Sequence, residues 1–159
     1  MLKSGLVPSC LLAFAFLMSA GLPGPQAKQI QQPLQLMSMT ELKAGDRGHY
    51  IVTARINKAN IQVMVDTGAS VVALSYEDAQ SAGLRPNTLD FNVPVSTANG
   101  SVNAARAKLD RVEVDTVKVD DVEALVLPQG ALSGTLLGMS FLSKLDSFKS
   151  ENGVLTLKN

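Results

Sequence analysis

The most constraining feature of this 159-residue chain is a short apolar run that ends abruptly at an acidic residue. Residues 63–65 read Val-Met-Val and are followed directly by Asp66, Thr67 and Gly68. A run rich in β-branched residues favours a strand, and a glycine just beyond it lets another backbone or a ligand come close. The pattern therefore predicts a carboxylate held at the mouth of a sheet. The competing interpretation is a simple turn in which Asp66 binds nearby amides.

A second apolar motif follows 70 residues later (136 minus 66), where Leu136-Leu137-Gly138 ends another apolar run. Together the two motifs resemble the catalytic loop and the hydrophobic-hydrophobic-glycine turn of the retropepsin-like aspartic proteases. The stretch from His49 to Leu157 resembles the bacterial single-domain members of that clan, which carry an N-terminal membrane segment. The resemblance implies a mostly β, single-lobe, closed, barrel-like acid-protease fold with one or two short helices. Short strands between tight turns favour a mostly β protein as well.

The resemblance also assigns roles to individual residues of the two motifs. The expected catalytic loop is Asp66, Thr67 and Gly68, and the expected supporting residues are Ala69, Ser70, Leu136, Leu137 and Gly138. Thr67 would hydrogen-bond the loop of a partner subunit, and Gly68 would direct its amide at the carboxylate. Leu137 and Gly138 would pack behind the loop and hold its shape.

A hairpin is predicted between the two motifs, from Val93 to Arg106. Asn99-Gly100 lies between two extended arms and is a strong signal for a tight hairpin turn. A hairpin at this place matches the flap of the resembling family, whereas an ordinary surface hairpin is the simpler interpretation. The expected flap residues are Ser96, Thr97, Ala98, Asn99, Gly100 and Ser101.

The rest of the folded region reads as further short elements, with regular structure expected to begin at His49. Alternating and apolar runs predict strands at 49–56, 61–65, 71–74 and 107–127, a helix capped by Ser75, a helix at 139–145 and a hairpin at 147–157. By resemblance, the last hairpin is a candidate for dimer contacts. The acidic residues of 107–127 are interpreted as solvated strand faces, because no compact calcium loop is present.

Composition excludes several classes of function. Fourteen basic and fourteen acidic residues cancel, and no basic cluster predicts nucleic-acid binding. The single cysteine, Cys10, lies in the N-terminal apolar stretch, so the folded region has no disulfide. One histidine, His49, leaves little material for a Ser-His pair or a histidine-based metal site. We therefore expect neither a metal nor a cofactor.

The N-terminus is typical of an export signal. Lys3 precedes an apolar centre at 11–18, and Ser19-Ala20-Gly21 is a plausible cleavage site. An uncleaved anchor from Leu6 to Leu22 is the alternative, with 17 residues between these bounds, close to the shortest span of a bilayer. Either form would export the domain across the inner membrane to the periplasm. The expected domains are 1–27, signal peptide or anchor; 28–47, flexible linker; and 48–159, the retropepsin-like domain.

Chemistry at a single Asp66 requires a second copy of the chain. Aspartic-protease catalysis uses two carboxyl groups that share a proton, one activating water and the other donating to the peptide carbonyl. The chain contains one Asp-Thr-Gly, so a twofold homodimer would supply the second carboxylate. The predicted function is an aspartic endopeptidase acting on a peptide or protein, with membrane contact only through the N-terminal segment. The alternative is a non-catalytic peptide-binding or dimerisation module on the same fold.

Overall fold

The structure is a computed structural model that describes residues 37–97 and 100–159. The predicted signal or anchor segment, residues 28–36 of the predicted linker, and the flap residues Ala98 and Asn99 lie outside these ranges. Within the described ranges, no helix is long and apolar enough to cross a bilayer.

The described part is built mainly of short strands, with two helices. The strands are β1 (Met39–Lys43), β2 (Ile51–Ile56), β3 (Ala59–Val65), β4 (Val72–Leu74), β5 (Val93–Thr97), β6 (Gly100–Val114), β7 (Val117–Val126), β8 (Thr135–Leu137), β9 (Ser147–Glu151) and β10 (Val154–Lys158). The helices are α1 (Tyr76–Ser81) and α2 (Met139–Leu142), with 3-10 turns at Asp46–Gly48 and Pro86–Thr88. The prediction of a mostly β protein with one or two short helices is confirmed.

Six strands close into a barrel in the order β2-β3-β8-β4-β7-β6. The barrel closes where Arg55 and Ile56 of β2 pair with Glu113 and Val112 of β6. Alternate residues of the strands point inward, so the buried residues are mainly aliphatic; Phe141 adds an aromatic ring and Thr135 of β8 a buried hydroxyl. β5 extends the sheet beyond β6 as a hairpin. A closed barrel leaves few free edges and gives the loop after β3 a rigid support.

A second, three-stranded sheet has the order β1-β10-β9. Met39 of β1 pairs with Lys158 of β10, and Leu42 pairs with the buried Leu155. β1 lies inside the range assigned to a linker, so the prediction that regular structure begins at His49 is wrong. The partner strand is more than 100 residues away in sequence, and the segment around β1 carries only a weak alternation of its own.

Two local predictions concern the helices. Ser75 caps α1 by accepting a hydrogen bond from the Asp78 amide at 3.1 Å, as its spacing predicts. α2 ends at Leu142, three residues before its predicted end at Leu145. The amides of Lys144 and Leu145 bond to carbonyls three residues back, so the chain tightens there instead of continuing the helix.

Candidate active site

Asp66 stands at the end of β3, where the barrel fixes its backbone. Val65 pairs with Leu137 of the parallel strand β8, and the Asp66 amide donates to the Leu137 carbonyl at 3.1 Å. The Gly68 amide then donates to the Asp66 carboxylate Oδ1 at 2.9 Å. The side chain of Asp66 is half-buried, while Thr67 and Gly68 are exposed. The carboxylate is therefore held in one orientation with access to solvent.

Gly138 brings the two sequence motifs into direct contact. A Cβ atom on Gly138 would lie 2.3 Å from the Val71 carbonyl oxygen and 2.6 Å from the Ala69 carbonyl oxygen. Beside it, the Met139 amide donates to the Ala69 carbonyl at 2.8 Å. Leu137 is fully buried behind the loop. Gly138 therefore packs against the backbone of the loop that follows Asp66.

Ser140 supports the loop in a way that the sequence analysis did not predict. Its hydroxyl accepts from the Val72 amide at 2.9 Å and donates to the Glu123 carbonyl at 2.6 Å. It therefore joins α2 to β4 and β7. A serine two residues after a glycine turn carries no signal of this role by itself.

Replacing Ser140 by Ala is expected to destabilise the domain by about 1–3 kcal/mol, because the Val72 amide would lose its partner in a half-buried place. Chemical denaturation of the full chain, followed by circular dichroism, measures this change. Ser143→Ala is the matched control, since its exposed hydroxyl bonds only to the Met139 carbonyl one turn earlier. Equal stability of the two variants would contradict the assignment.

A cavity of about 540 Å³ opens in front of Asp66, here called the central cavity. It is lined by Asp66, Gly68, Ala69, Ser70, Val71, Ala73, Val95, Ser96, Thr97, Leu125, Leu127, Ala131, Leu132 and Leu136. Asp66 is the only ionisable group among these residues. The remainder are mostly aliphatic or small, so the cavity suits an extended chain with apolar side chains.

The predicted flap contributes its first strand to the central cavity. Ser96 and Thr97 line the cavity, and they pair with Ser101 and Gly100 on the returning strand β6. The Thr97 hydroxyl donates to the Gly100 carbonyl at 2.8 Å. The hairpin is therefore present and faces the same space as Asp66. Thr67 does not line the cavity but projects from the exposed part of the loop.

A larger groove of about 910 Å³, here called the outer groove, adjoins the central cavity. It is lined by Val71, Val93, Arg106, Ala107, Lys108, Asp121, Glu123, Ala124, Leu125, Ser140, Ser143 and Lys144. Lys108 Nζ lies 2.7 Å from Asp121 Oδ1. This hydrogen bond lowers the pKa of the Asp121 carboxyl and raises the pKa of Lys108. Five of the six acidic residues predicted to lie on solvated strand faces are exposed, and Glu113 is half-buried. Two of the exposed ones, Asp121 and Glu123, line the outer groove.

Comparison with known proteins identifies the fold and the family. The model of the family described as gag-polyprotein putative aspartyl protease matches residues 52–144, which is more than half of the chain. This protein belongs to the retropepsin-like aspartic proteases. A crystal structure of a retropepsin-like aspartic protease from Rickettsia conorii superposes with a TM-score of 0.69 and 32% identity, covering 77% of this chain and 91% of that one.

Other relatives of this retropepsin-like protein are more distant or uncharacterised. The EIAV protease, solved in complex with the inhibitor HBY-793, has a TM-score of 0.53 and 17% identity, covering 65% of this chain and 93% of that one, and shows the fold alone. An uncharacterized Sinorhizobium sp protein in the cobV 5' region is 41% identical over 112 residues, 70% of this chain and 48% of that protein. An uncharacterized Rickettsia prowazekii (strain Madrid E) protein is 38% identical over 115 residues, which cover 72% of this chain and 48% of that protein. The chain spans about half the length of these two curated relatives.

Proposed function

We propose that this protein is an aspartic endopeptidase whose active unit is a homodimer. Two Asp66 carboxylates, one from each subunit, would share a proton, activate a water molecule and protonate the peptide carbonyl oxygen. The observation that carries the proposal is the position of Asp66. Its carboxylate accepts from the Gly68 amide in a cavity that the flap strand also lines. Membership of the aspartic protease family supports the same chemistry.

The need for a second subunit follows from the charges of the central cavity. Asp66 is the only acidic residue among those that line it, and one carboxyl group cannot be both base and acid in this mechanism. A twofold axis next to the loop would place the second Asp66 beside the first. Thr67, exposed on the same loop, is available to hydrogen-bond the loop of the partner subunit.

The three-stranded sheet limits how the terminal hairpin could join a dimer. β10 already has β1 on one side and β9 on the other, both from its own chain. A partner strand can therefore be added only at the outer edge of β1 or of β9. We infer that any partner strand paired with the hairpin joins it at β9 and not at β10. Lys149→Cys, in the middle of β9, should form a disulfide between subunits under mild oxidation. Thr156→Cys, in β10, should not. The reverse result would overturn this inference.

The direct test is incubation of the purified full chain with a mixed peptide library between about pH 3 and pH 7, with sites read by mass spectrometry. Cleavage within extended apolar segments, in a sample shown to be dimeric by sedimentation, is the expected result. A folded, dimeric sample that binds peptides but leaves them intact would favour the non-catalytic binding module.

Ala69 bears on the pH at which the peptidase works. Pepsin-type sequences have a serine at this place that hydrogen-bonds the catalytic carboxylate, and a donor to the charged form lowers the pKa of that carboxylate. We therefore expect an optimum less acidic than that of pepsin. Ala69→Ser should move the acid limb of the pH–rate profile to lower pH, because the added hydroxyl would donate to the charged form of the carboxylate.

The pH–rate profile of the full chain on one cleaved peptide measures this shift. Ala131→Ser is the matched control, because Ala131 lines the same cavity but is not part of the Asp66 loop. A wild-type optimum below about pH 3, with activity lost by about pH 5, would contradict the role given to Ala69.

We further propose that the domain is exported to the periplasm and stays either anchored by residues 6–22 or free after signal cleavage. A basic start followed by a short apolar centre supports this location. Cell fractionation with size analysis of the mature chain would separate the two forms. Recovery of the uncut chain in the cytoplasm would exclude both.

A further inference from the structure

The outer groove continues the central cavity. Val71 and Leu125 line both spaces. Leu127, one residue past the end of β7, lines the central cavity, and Glu123 of β7 lines the outer groove; these residues are about 13 Å apart at the usual rise of a strand. An extended peptide that lies along β7 in front of Asp66 would therefore enter the outer groove about four residues further along.

Most charges in the outer groove are already engaged by neighbouring groups of the chain. Lys108 is ion-paired with Asp121 and lies directly opposite Glu123 in the β6–β7 ladder. The Lys144 ammonium donates to the Asp120 and Asp121 carbonyls at 3.1 and 2.8 Å. These two lysines thus have partners, and the carboxylate of Asp121 is occupied by Lys108.

Arg106 is the exception among the cations of the outer groove. It is exposed, and the residue that lies directly opposite it on β7 is the apolar Leu125. In residues 37–97 and 100–159, no carboxylate forms an ion pair with its guanidinium. With Lys108 and Lys144 against Asp121 and Glu123, the groove has three cations and two anions, a net charge of +1. That unbalanced charge lies in the continuation of the substrate path.

The uncompensated cation persists in acid solution. The hydrogen bond from Lys108 lowers the pKa of the Asp121 carboxyl, so Asp121 continues to neutralise Lys108 when other carboxylates begin to protonate. Arginine stays protonated throughout this range. Its planar guanidinium can also donate two parallel hydrogen bonds to one carboxylate, which a lysine cannot do.

We propose that Arg106 is a specificity-determining residue that selects peptides with an acidic side chain three to five residues from the scissile bond. This inference rests on the proposed peptidase function. In a twofold dimer each subunit supplies one outer groove, so the preference would hold on both sides of the cleaved bond. Because Arg106 is exposed, the expected preference is modest, about three- to fivefold in kcat/KM.

The test compares matched peptides that carry either Glu or Gln at each position three to five residues from the cleaved bond. For the wild-type full chain, the Glu/Gln ratio of kcat/KM should be about 3–5 at one of these positions and fall when salt is raised to about 0.5 M. In Arg106→Gln the ratio should fall to about 1. Arg55→Gln is the control, since Arg55 is exposed on β2 and lines neither cavity, and its ratio should equal that of the wild type.

A wild-type ratio near 1 at every position, or a ratio that survives Arg106→Gln, would overturn the subsite and leave the peptidase intact. A second readout separates the two proposals. Fluorescence anisotropy measures the binding of labelled Glu and Gln peptides to Asp66→Asn, with and without Arg106→Gln. If the wild type cleaves nothing, the peptidase proposal fails and the binding ratio still decides the role of Arg106. If folded Asp66→Asn binds neither peptide, the subsite is overturned.

Discussion

Replacing Asp66 by Asn is expected to lower peptide cleavage by about 10³- to 10⁴-fold. Asparagine has nearly the same shape as aspartate. Its side-chain oxygen can still accept the hydrogen bond that the Gly68 amide donates to Asp66 Oδ1 at 2.9 Å in the wild type. It cannot take a proton from water, and in a dimer both members of the pair are lost together. General acid–base catalysis by a positioned group contributes about 10²- to 10⁴-fold, and here no second carboxylate in the cavity can replace it.

The measurement is the rate of cleavage of one library-derived peptide by equal concentrations of full-length wild type and Asp66→Asn. Sedimentation and circular dichroism establish that both are folded and have the same oligomeric state. Asp146→Asn is the matched control, because Asp146 is exposed after α2 and lines neither cavity. Equal cleavage by wild type and Asp66→Asn would exclude Asp66 from the chemistry.

Gly138→Ala is expected to destabilise the domain by about 3 kcal/mol or more, the largest effect on folding that any single methyl group should have in the loop region. The added Cβ would meet two backbone carbonyl oxygens, at 2.3 Å from Val71 and 2.6 Å from Ala69. Backbone atoms cannot rotate away as a side chain can. Relief would require separating α2 from the loop and breaking the bond from the Met139 amide to the Ala69 carbonyl.

Urea denaturation of the full chain, followed by circular dichroism, gives the free energy of unfolding of each variant. Gly134→Ala is the control, since a Cβ there meets nothing within 4 Å and the backbone is not in the left-handed region. That change should be neutral or stabilising by up to about 1 kcal/mol. A Gly138→Ala protein within about 1 kcal/mol of the wild type would show that the packing of α2 on the loop is not essential.

The features predicted correctly from the sequence are those with a local signal. The β2–β3 hairpin that delivers Asp66, the Ser75 cap of α1 and the hairpin around Gly100 each depend on residues a few positions apart. The contact of Gly138 with the loop that follows Asp66 is not local, and it is expected only because the two motifs resemble a family in which they meet. The roles of Asp66, Thr67 and Gly68 in catalysis stay predictions.

The features that were missed depend on neighbours distant in sequence. β1 is recognisable as a strand only from its pairing with β10. Closure of the barrel pairs Arg55 with Glu113 through backbone hydrogen bonds, which no side-chain pattern predicts. Ser140 acquires its role from the amide and the carbonyl that the fold places on either side of it. The outer groove was missed for a related reason. The charges of β6 and β7 suggest a solvent-exposed surface. The strand pairing shows that, within the described ranges, Lys108 has a carboxylate partner and Arg106 has none.

The pairing of β1 with β10 has a consequence for how the protein is made. Met39 and Lys158 are 119 residues apart (158 minus 39), so at ordinary rates of translation β1 waits roughly 6 to 24 s before its partner is synthesised. β10 carries the buried Leu155 and Leu157, so the core also stays incomplete until β10 has emerged. A nascent chain can therefore complete this sheet only after β10 has been synthesised, a delay that would suit a protein whose proposed route takes it through a membrane before it folds.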